Sequence, residues 1–356
     1  MTLENYSQSK ADAFANAMLG HLNGAALALM ASIGHRTGLF DTMATMQPAT
    51  SSEIAAAAGL SERYVREWLG AMVTGGMVEY DPATQKYVLP AEHAAVLTRS
   101  AGPANCGVTA QFVAVLGGVE DEVVEAFRHG RGVPYSSYKR FHEVMAEESS
   151  QTVLSALFEH ILPLEPKLSA MLSAGCEVAD IGCGCGRAVN MLAERFPRSR
   201  FVGFDLCPET IAAASREAAQ RGLNNASFVE QDLSQWSESE RFGVITAFDA
   251  IHDQGQPALV LKNIYNALLP GGIFLMQDIA GSSHVHSNIG RPLSPFVYTI
   301  SCMHCMSVSL AQGGVGLGAA WGREKAEEML REAGFQQIRV ETLEHDIMNN
   351  YYLAYK

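Results

Sequence analysis

The stretch Val178-Ala179-Asp180-Ile181-Gly182-Cys183-Gly184-Cys185-Gly186 decides the fold. Its first half is a short apolar run and reads as a buried strand, 177–181. Its second half sets glycine at every other position, where the strand hands over to a helix across 188–196. Glycine accepts left-handed backbone angles there and lets the main chain approach a ligand without a Cβ clash. Outward from this turn, strands are expected at 200–205, 227–230, 242–248, 272–278, 338–341 and 351–355. Helices at 208–221 and 257–268 fall between them. Apolar strands separated by amphipathic helices imply a doubly wound α/β sheet covered on both faces. Such sheets bind ligands at the carboxyl ends of their strands, near the topological switch point.

The ligand can be narrowed from the residues that follow those strands. Asp205 ends the second strand nineteen residues after Gly186. A carboxylate there can accept hydrogen bonds from both hydroxyls of a ribose. Asp232, in Gln231-Asp232-Leu233, follows the third strand and can take an adenine amino proton. Leu206 and Leu233 are placed to sandwich the base, and Phe248 ends the fourth strand beside them. A nicotinamide dinucleotide usually meets Gly-x-Gly-x-x-Gly, which offers its pyrophosphate a helix N-terminus. Here the third glycine comes one residue early, and Asp180 precedes the loop. A carboxylate in that place disfavours phosphate and favours an amino group. S-adenosylmethionine (SAM) fits, with an amino-acid tail and a sulfonium but no phosphate. Its expected binding set is Asp180, Gly182, Gly184, Gly186, Asp205, Leu206, Asp232, Leu233 and Phe248.

The chain has 356 residues, 48% hydrophobic and 18% charged, enough for one large or about two domains with a substantial core. Its net charge of -13 is the wrong sign for coating nucleic acid or anionic lipid. The N-terminus lacks the basic and apolar regions of a secretory signal, and the apolar run 25–33 is too short to cross a bilayer. Seven scattered cysteines do not form a disulfide framework. Reduced thiols and a cytoplasmic location are expected, with no membrane or nucleic-acid partner.

Three regions separate: 1–97, a helical layer 98–173, and the α/β domain 174–356. In the first, Leu22, Ala26, Leu29 and Ile33 share a helix face. Thr50 and Glu53 form a capping box, Ser61 caps the next helix, and Gly75-Gly76 ends it. Two short strands around 77–80 and 86–89 follow, which completes a winged helix. Residues 1–90 carry five basic and eight acidic side chains, and the would-be recognition helix mixes Glu62 and Glu67 with Arg63 and Arg66. DNA contact needs a basic stripe, so packing or homodimerisation is the expected role.

Together with Leu268-Leu269-Pro270-Gly271-Gly272, the motifs at 178–186, 203–205 and 231–233 resemble those of class I SAM-dependent methyltransferases. The N-terminal half looks like the winged-helix domain fused to many small-molecule methyltransferases. The segments Phe248-Asp249-Ala250-Ile251-His252-Asp253-Gln254 and Ser301-Cys302-Met303-His304-Cys305-Met306 resemble a bacterial subgroup of that type. The resemblance spans nearly the whole chain and implies a seven-stranded Rossmann-like sheet with its last strand antiparallel. It also implies methyl transfer from SAM to a small molecule, at a thiol or sulfide sulfur or a phenolic oxygen. A SAM-sensing regulator acting through the winged helix is the alternative. The doubled cysteines of the glycine loop are expected to point away from the ligand.

Methyl transfer is an in-line displacement, so the protein must align the nucleophile and exclude water. His252 and Asp253, after the fourth strand, are the expected base or orienting pair, with His304 a second candidate. The span 280–320 is too long for an ordinary connection, and its Met and Cys content suggests a soft acceptor pocket. Tyr298, Cys302, Trp321, Asn350 and Tyr351 are expected to line that pocket. Tyr138 and Phe141 would supply a lid. Cys302 and Cys305 have metal-type spacing without a second pair nearby, so no metal is expected.

Overall fold

The computed structural model describes residues 6–356. They form two compact units divided between Val115 and Leu116. Residues 98–115 of the expected middle layer therefore belong to the first unit and 116–173 to the second.

The first unit opens with the helix Gln8–Thr37, ended by Gly38 at φ 73°. Only its last turns pack: Ala31, Ser32, Gly34 and His35 are buried, and Trp68 Nε1 donates to the Met30 carbonyl at 2.8 Å. Gly34 is required there, because a Cβ would fall 2.6 Å from the Trp68 ring and 2.7 Å from that of Phe40. The apolar face shared by Leu22, Leu29 and Ile33 is open, with Leu22 62%, Leu29 42% and Ile33 45% exposed. The helix is also longer than the apolar run 25–33. Over 30 residues, with an 18-residue window of mean hydropathy 1.3, it is long and apolar enough to cross a membrane by length and composition alone.

The winged helix follows. Thr50 accepts from the Glu53 amide while the Glu53 carboxylate accepts from the Thr50 amide, so the capping box is complete. Ser61 precedes the helix Glu62–Thr74 without a side-chain cap; Ser51 Oγ instead donates to Glu62 at 2.7 Å. Val65, Trp68, Leu69 and Met72 carry that helix into the core. Strands β1 (Glu79–Asp81) and β2 (Lys86–Val88) pair antiparallel. Arg63 pairs with Glu67 and Arg66 with Glu62 along the helix, so its cations are matched by its own acids.

The second unit holds strands β3 (Glu177–Ile181), β4 (Arg200–Asp205), β5 (Ala226–Glu230), β6 (Phe242–Phe248), β7 (Leu268–Ile279), β8 (Gln337–Leu343) and β9 (Asp346–Tyr355). Their order is β5-β4-β3-β6-β7-β9-β8, parallel except for β9, which runs antiparallel to β7 and β8. Alternation along the strands serves both layers. Ala179 and Ile181 join Val260, Ile264 and Leu330 on one face, while Val178 joins Leu168, Leu172, Val189 and Leu192 on the other. The chain reverses direction across the sheet between β3 and β6, and this opens a crevice at their carboxyl ends. The span 280–320 is a helical insert rather than a loop, built from Val285–Asn288, Ser294–Ile300, a π-turn at Ser301–Cys305, and Met306–Ala311.

Candidate active site

A cavity of about 870 Å³ occupies that crevice, lined by residues that follow β3, β4, β5 and β6 and by the segment 135–154. Asp180, Gly182, Gly184, Asp205, Leu206, Asp232, Leu233 and Phe248 all line it. Gly182 stands at φ 66°, and a Cβ there would lie 2.5 Å from that of Ala250. Gly186 does not line the cavity. Its Cβ would strike Phe228 at 2.4 Å and Ala214 at 2.6 Å, so this glycine packs the turn against the sheet rather than meeting the ligand. Both loop cysteines line the cavity in part, against expectation, with Cys183 also packed under Gly203.

Asp205 straps the glycine turn to the next strand: its Oδ2 accepts from the Gly184 amide at 2.8 Å and its Oδ1 from the Cys207 amide at 2.9 Å. Oδ1 also accepts from Thr210 Oγ1 at 3.2 Å, so Oδ2 is the oxygen that keeps a lone pair for a ribose hydroxyl. Asp232 Oδ1 accepts from the Ser234 hydroxyl at 2.7 Å and the Ser234 amide at 2.9 Å, and the hydroxyl bond lowers its pKa. Asp180 is buried and accepts from Thr246 Oγ1 at 2.6 Å. Burial pushes its pKa up to about 7, more than the Thr246 bond offsets. A cationic amino group would restore its charge.

On the acceptor side, Asp253 lines the cavity and accepts from the Tyr135 hydroxyl. Burial pushes its pKa up to about 6. Tyr138 and Phe141 line the cavity as expected. His252 does not. It is buried behind the wall, with Nδ1 2.7 Å from Asp278 Oδ1. Burial opposes its charge, but Asp278 and Cys305 together outweigh this and raise the ring's pKa well above the ordinary value. The same Asp278 oxygen accepts from Trp321 Nε1 at 2.9 Å and from the Ile279 amide at 2.8 Å. Trp321 therefore braces the dyad and does not close the pocket. With Asp249, the dyad brings three ligand-type atoms within 4.8 Å of one another, already joined as an ion pair.

His304 is also off the cavity. It is buried and stacks on Phe141, ring centroids 3.5 Å apart at 14°, with Tyr138 edge-on at 4.7 Å. Burial drives its pKa well below the ordinary value, so it is a neutral ring backing the aromatic wall. Tyr298 lines a separate cavity of about 250 Å³ and accepts from Asn288 Nδ2 at 3.0 Å. Cys302 lines neither cavity, so the soft residues of the 280–320 insert do not face this crevice; the sulfur side chains that line it are Met145, Cys183, Cys185 and Cys207. Asn350 and Tyr351 are buried in β9, where the Tyr351 hydroxyl donates to Asp346 at 2.6 Å. A strand flanked on both sides by others leaves its residues in the core, so these two pack the sheet.

Cavity residues that sequence reasoning missed include Tyr135, His142, Arg187, Glu209 and Asp249. His142 stacks on Tyr135 at 5.6 Å. Asp249 has φ 50°, strained for a non-glycine residue, and its Oδ1 is buried against Gln277. Nothing in the sequence marks Asp249 as strained. The adjacency of His142 to Phe141 was a usable signal.

Comparison with known proteins agrees with this architecture. Residues 25–99 match the Rv2258c-like winged HTH domain family, and residues 172–334 match a methyltransferase domain family. A trans-aconitate 2-methyltransferase of Paracidovorax citrulli is 32% identical over 108 residues, 30% of this chain and 40% of that protein. The erythromycin 3''-O-methyltransferase of Saccharopolyspora erythraea is 26% identical over 212 residues, 57% of this chain and 61% of that protein. The chain thus spans less than two thirds of the length of these curated relatives. Human N-acetylserotonin methyltransferase in complex with SAM shares the fold with TM-score 0.70 at 18% identity, covering 99% of each chain. An O-methyltransferase family protein from Burkholderia thailandensis does so with TM-score 0.66 at 16% identity, covering 96% of this chain and 98% of that one.

Proposed function

We infer that this chain, a winged-helix domain followed by a class I methyltransferase domain, transfers the methyl group of SAM to a hydroxyl of a small molecule. The observation that carries the reading is the single crevice at the ends of β3, β4, β5 and β6. It joins Asp180, Asp205 and Asp232 to an aromatic wall of Tyr135, Tyr138 and Phe141. SAM would place its ribose on Asp205, its adenine between Leu206 and Leu233 with the amino group toward Asp232, and its ammonium near Asp180. When bound, it supplies the electrophilic methyl carbon.

The chain's own part is to hold a nucleophile in line with that carbon and to take its proton. Asp253 faces the cavity with its pKa tuned towards neutrality, as suits a base at working pH. Tyr135 orients it, and the His252–Asp278 pair fixes the segment behind it. Oxygen is favoured over sulfur because a carboxyl tuned towards neutrality, Asp253, lines the cavity, and a hydroxyl nucleophile needs such a base more than a thiol does. The name of one relative, the erythromycin 3''-O-methyltransferase, points the same way. A regulator reading gains little from a recognition helix whose arginines are matched by its own glutamates.

The exposed apolar face of the first helix, including Phe14, Leu19 and Leu22, supports a homodimer built on a second copy of that helix. The seven free cysteines fit a reducing, cytoplasmic setting. The test of function is a methyl-transfer assay with labelled SAM against matched phenols and thiols, read by mass spectrometry. Products on phenol oxygen support the reading, and products on sulfur alone overturn the oxygen assignment.

A further inference from the structure

Resting on that reading, we propose that the methyl acceptor is an aromatic molecule carrying a protonated amine, and that the crevice rejects its carboxylate counterpart. Six carboxyl groups line the cavity: Asp180, Asp205, Glu209, Asp232, Asp249 and Asp253. Arg187 is the one lysine or arginine among the lining residues, and it is committed elsewhere. Its Nη1 donates to the Ala146 carbonyl at 2.5 Å and to Ser150 Oγ at 2.6 Å. His142 adds no charge, because burial lowers its pKa against the pull of Asp205 and Glu209. The positive His252 behind the wall is neutralised by Asp278.

SAM itself carries one net positive charge, from an ammonium and a sulfonium set against a carboxylate. Asp180, Asp205 and Asp232 are the groups it would engage. Asp249 and Asp253 remain. Asp253 has committed Oδ2 to the Tyr135 hydroxyl, whereas Asp249 lines the cavity with its Oδ1 buried against Gln277. Its left-handed backbone, φ 50°, is strain of the kind that gathers at ligand sites. An acceptor ammonium would pair with its carboxylate. The adjoining wall of Tyr135, Tyr138 and Phe141, stiffened by His304, offers ring faces for stacking and for cation–π attraction. A carboxylate in the same place would meet like charges and find no free cation.

The test is calorimetry on the full chain saturated with S-adenosylhomocysteine, titrated with tyramine, 4-(2-hydroxyethyl)phenol and 4-hydroxyphenylacetate. These probes share one ring and differ in charge. The amine should bind at least about tenfold more tightly than the carboxylate, with the alcohol between them. Asp249→Asn should narrow the amine-to-alcohol ratio. Equal affinities, no binding of any probe, or a ratio unchanged in Asp249→Asn would overturn the proposal. The preceding titration with S-adenosylhomocysteine keeps the two readings apart. Failure of that step sinks the methyltransferase assignment, whereas success followed by indifference to charge sinks only the acceptor class.

Discussion

Asp180 makes cofactor affinity depend on pH with a predictable sign. Burial penalises the ionised form of its carboxyl and pushes the pKa up to about 7. Only the ionised form attracts the ammonium of SAM. If binding requires that form, the apparent dissociation constant scales as one plus the protonated-to-ionised ratio. The ratio is about 0.1 at pH 8, about 1 at pH 7 and about 10 at pH 6, so affinity should fall about tenfold from pH 8 to pH 6. The ligand contributes the opposite trend: its amino group, with an ordinary pKa of about 7.7–8.0, becomes more cationic as pH falls. A loss of affinity in acid therefore reports on the protein.

Calorimetric titration of wild type and Asp180→Asn at pH 6, 7 and 8 tests this. The variant should bind weakly and with a flattened pH profile. Stability gives an independent readout. A carboxyl whose folded pKa is raised above its unfolded value costs nothing while protonated in both states. Its cost grows as pH rises from about 4 to 7 and is complete above that range. Unliganded Asp180→Asn should therefore melt higher than wild type at pH 8, with the gap closing towards pH 5. A wild-type affinity constant flat from pH 6 to 8, or the same slope in the variant, would refute the reasoning.

Other substitutions probe separate parts of the molecule. Asp205→Ala removes the acceptor for the Gly184 and Cys207 amides as well as the ribose partner, so SAM binding should drop by about a hundredfold or more in calorimetry. Asp278→Asn strands the His252 charge in the core and should destabilise the fold by about 3–5 kcal/mol in denaturant melts. Because the pKa of His252 is raised in the fold, that pair's contribution is full below about pH 6.5 and lost as pH rises through the folded value, so the deficit of the variant should shrink in strong alkali. Phe14→Asp with Leu22→Asp should convert a dimer to a monomer in sedimentation; a wild-type monomer would remove the dimer proposal.

The sheet was legible because its strands are short apolar runs with one period, and strand 242–248 falls as expected to the residue. The cofactor end was legible for a related reason. Its ligands follow strands directly, so locating a strand locates Asp205 and Asp232 at its carboxyl end. The acceptor end has no such rule. It is assembled from 135–154 and from the turns after β6, whose side chains reach the cavity only through tertiary packing. Residue type alone favoured His252 as a cavity-facing base, yet Asp278 draws its ring inward. Likewise Asn350 and Tyr351 sit in a polar-aromatic run that looks like a pocket rim, but β9 inserts between β7 and β8 and buries them. The first helix shows a different limit, because an apolar face in sequence does not say whether its partner lies in the same chain.

The crevice contains several groups that the isolated fold would be more stable without. Asp180 and Asp249 are both raised to about 7, and Asp249 adds a left-handed backbone. Such costs cluster where a ligand relieves them. Ammonium, sulfonium and amine are the groups that would relieve these particular ones, since each lowers the price of ionising a buried carboxyl. Cofactor and acceptor should then be coupled through the shared field. SAM, with one more positive charge than its demethylated product, offsets the carboxyls more fully and leaves less attraction for an amine. By reciprocity, an amine acceptor should weaken SAM more than it weakens S-adenosylhomocysteine. Methyl transfer removes the sulfonium charge from the crevice, and on this electrostatic account the field that weakens the substrate pair favours the product cofactor.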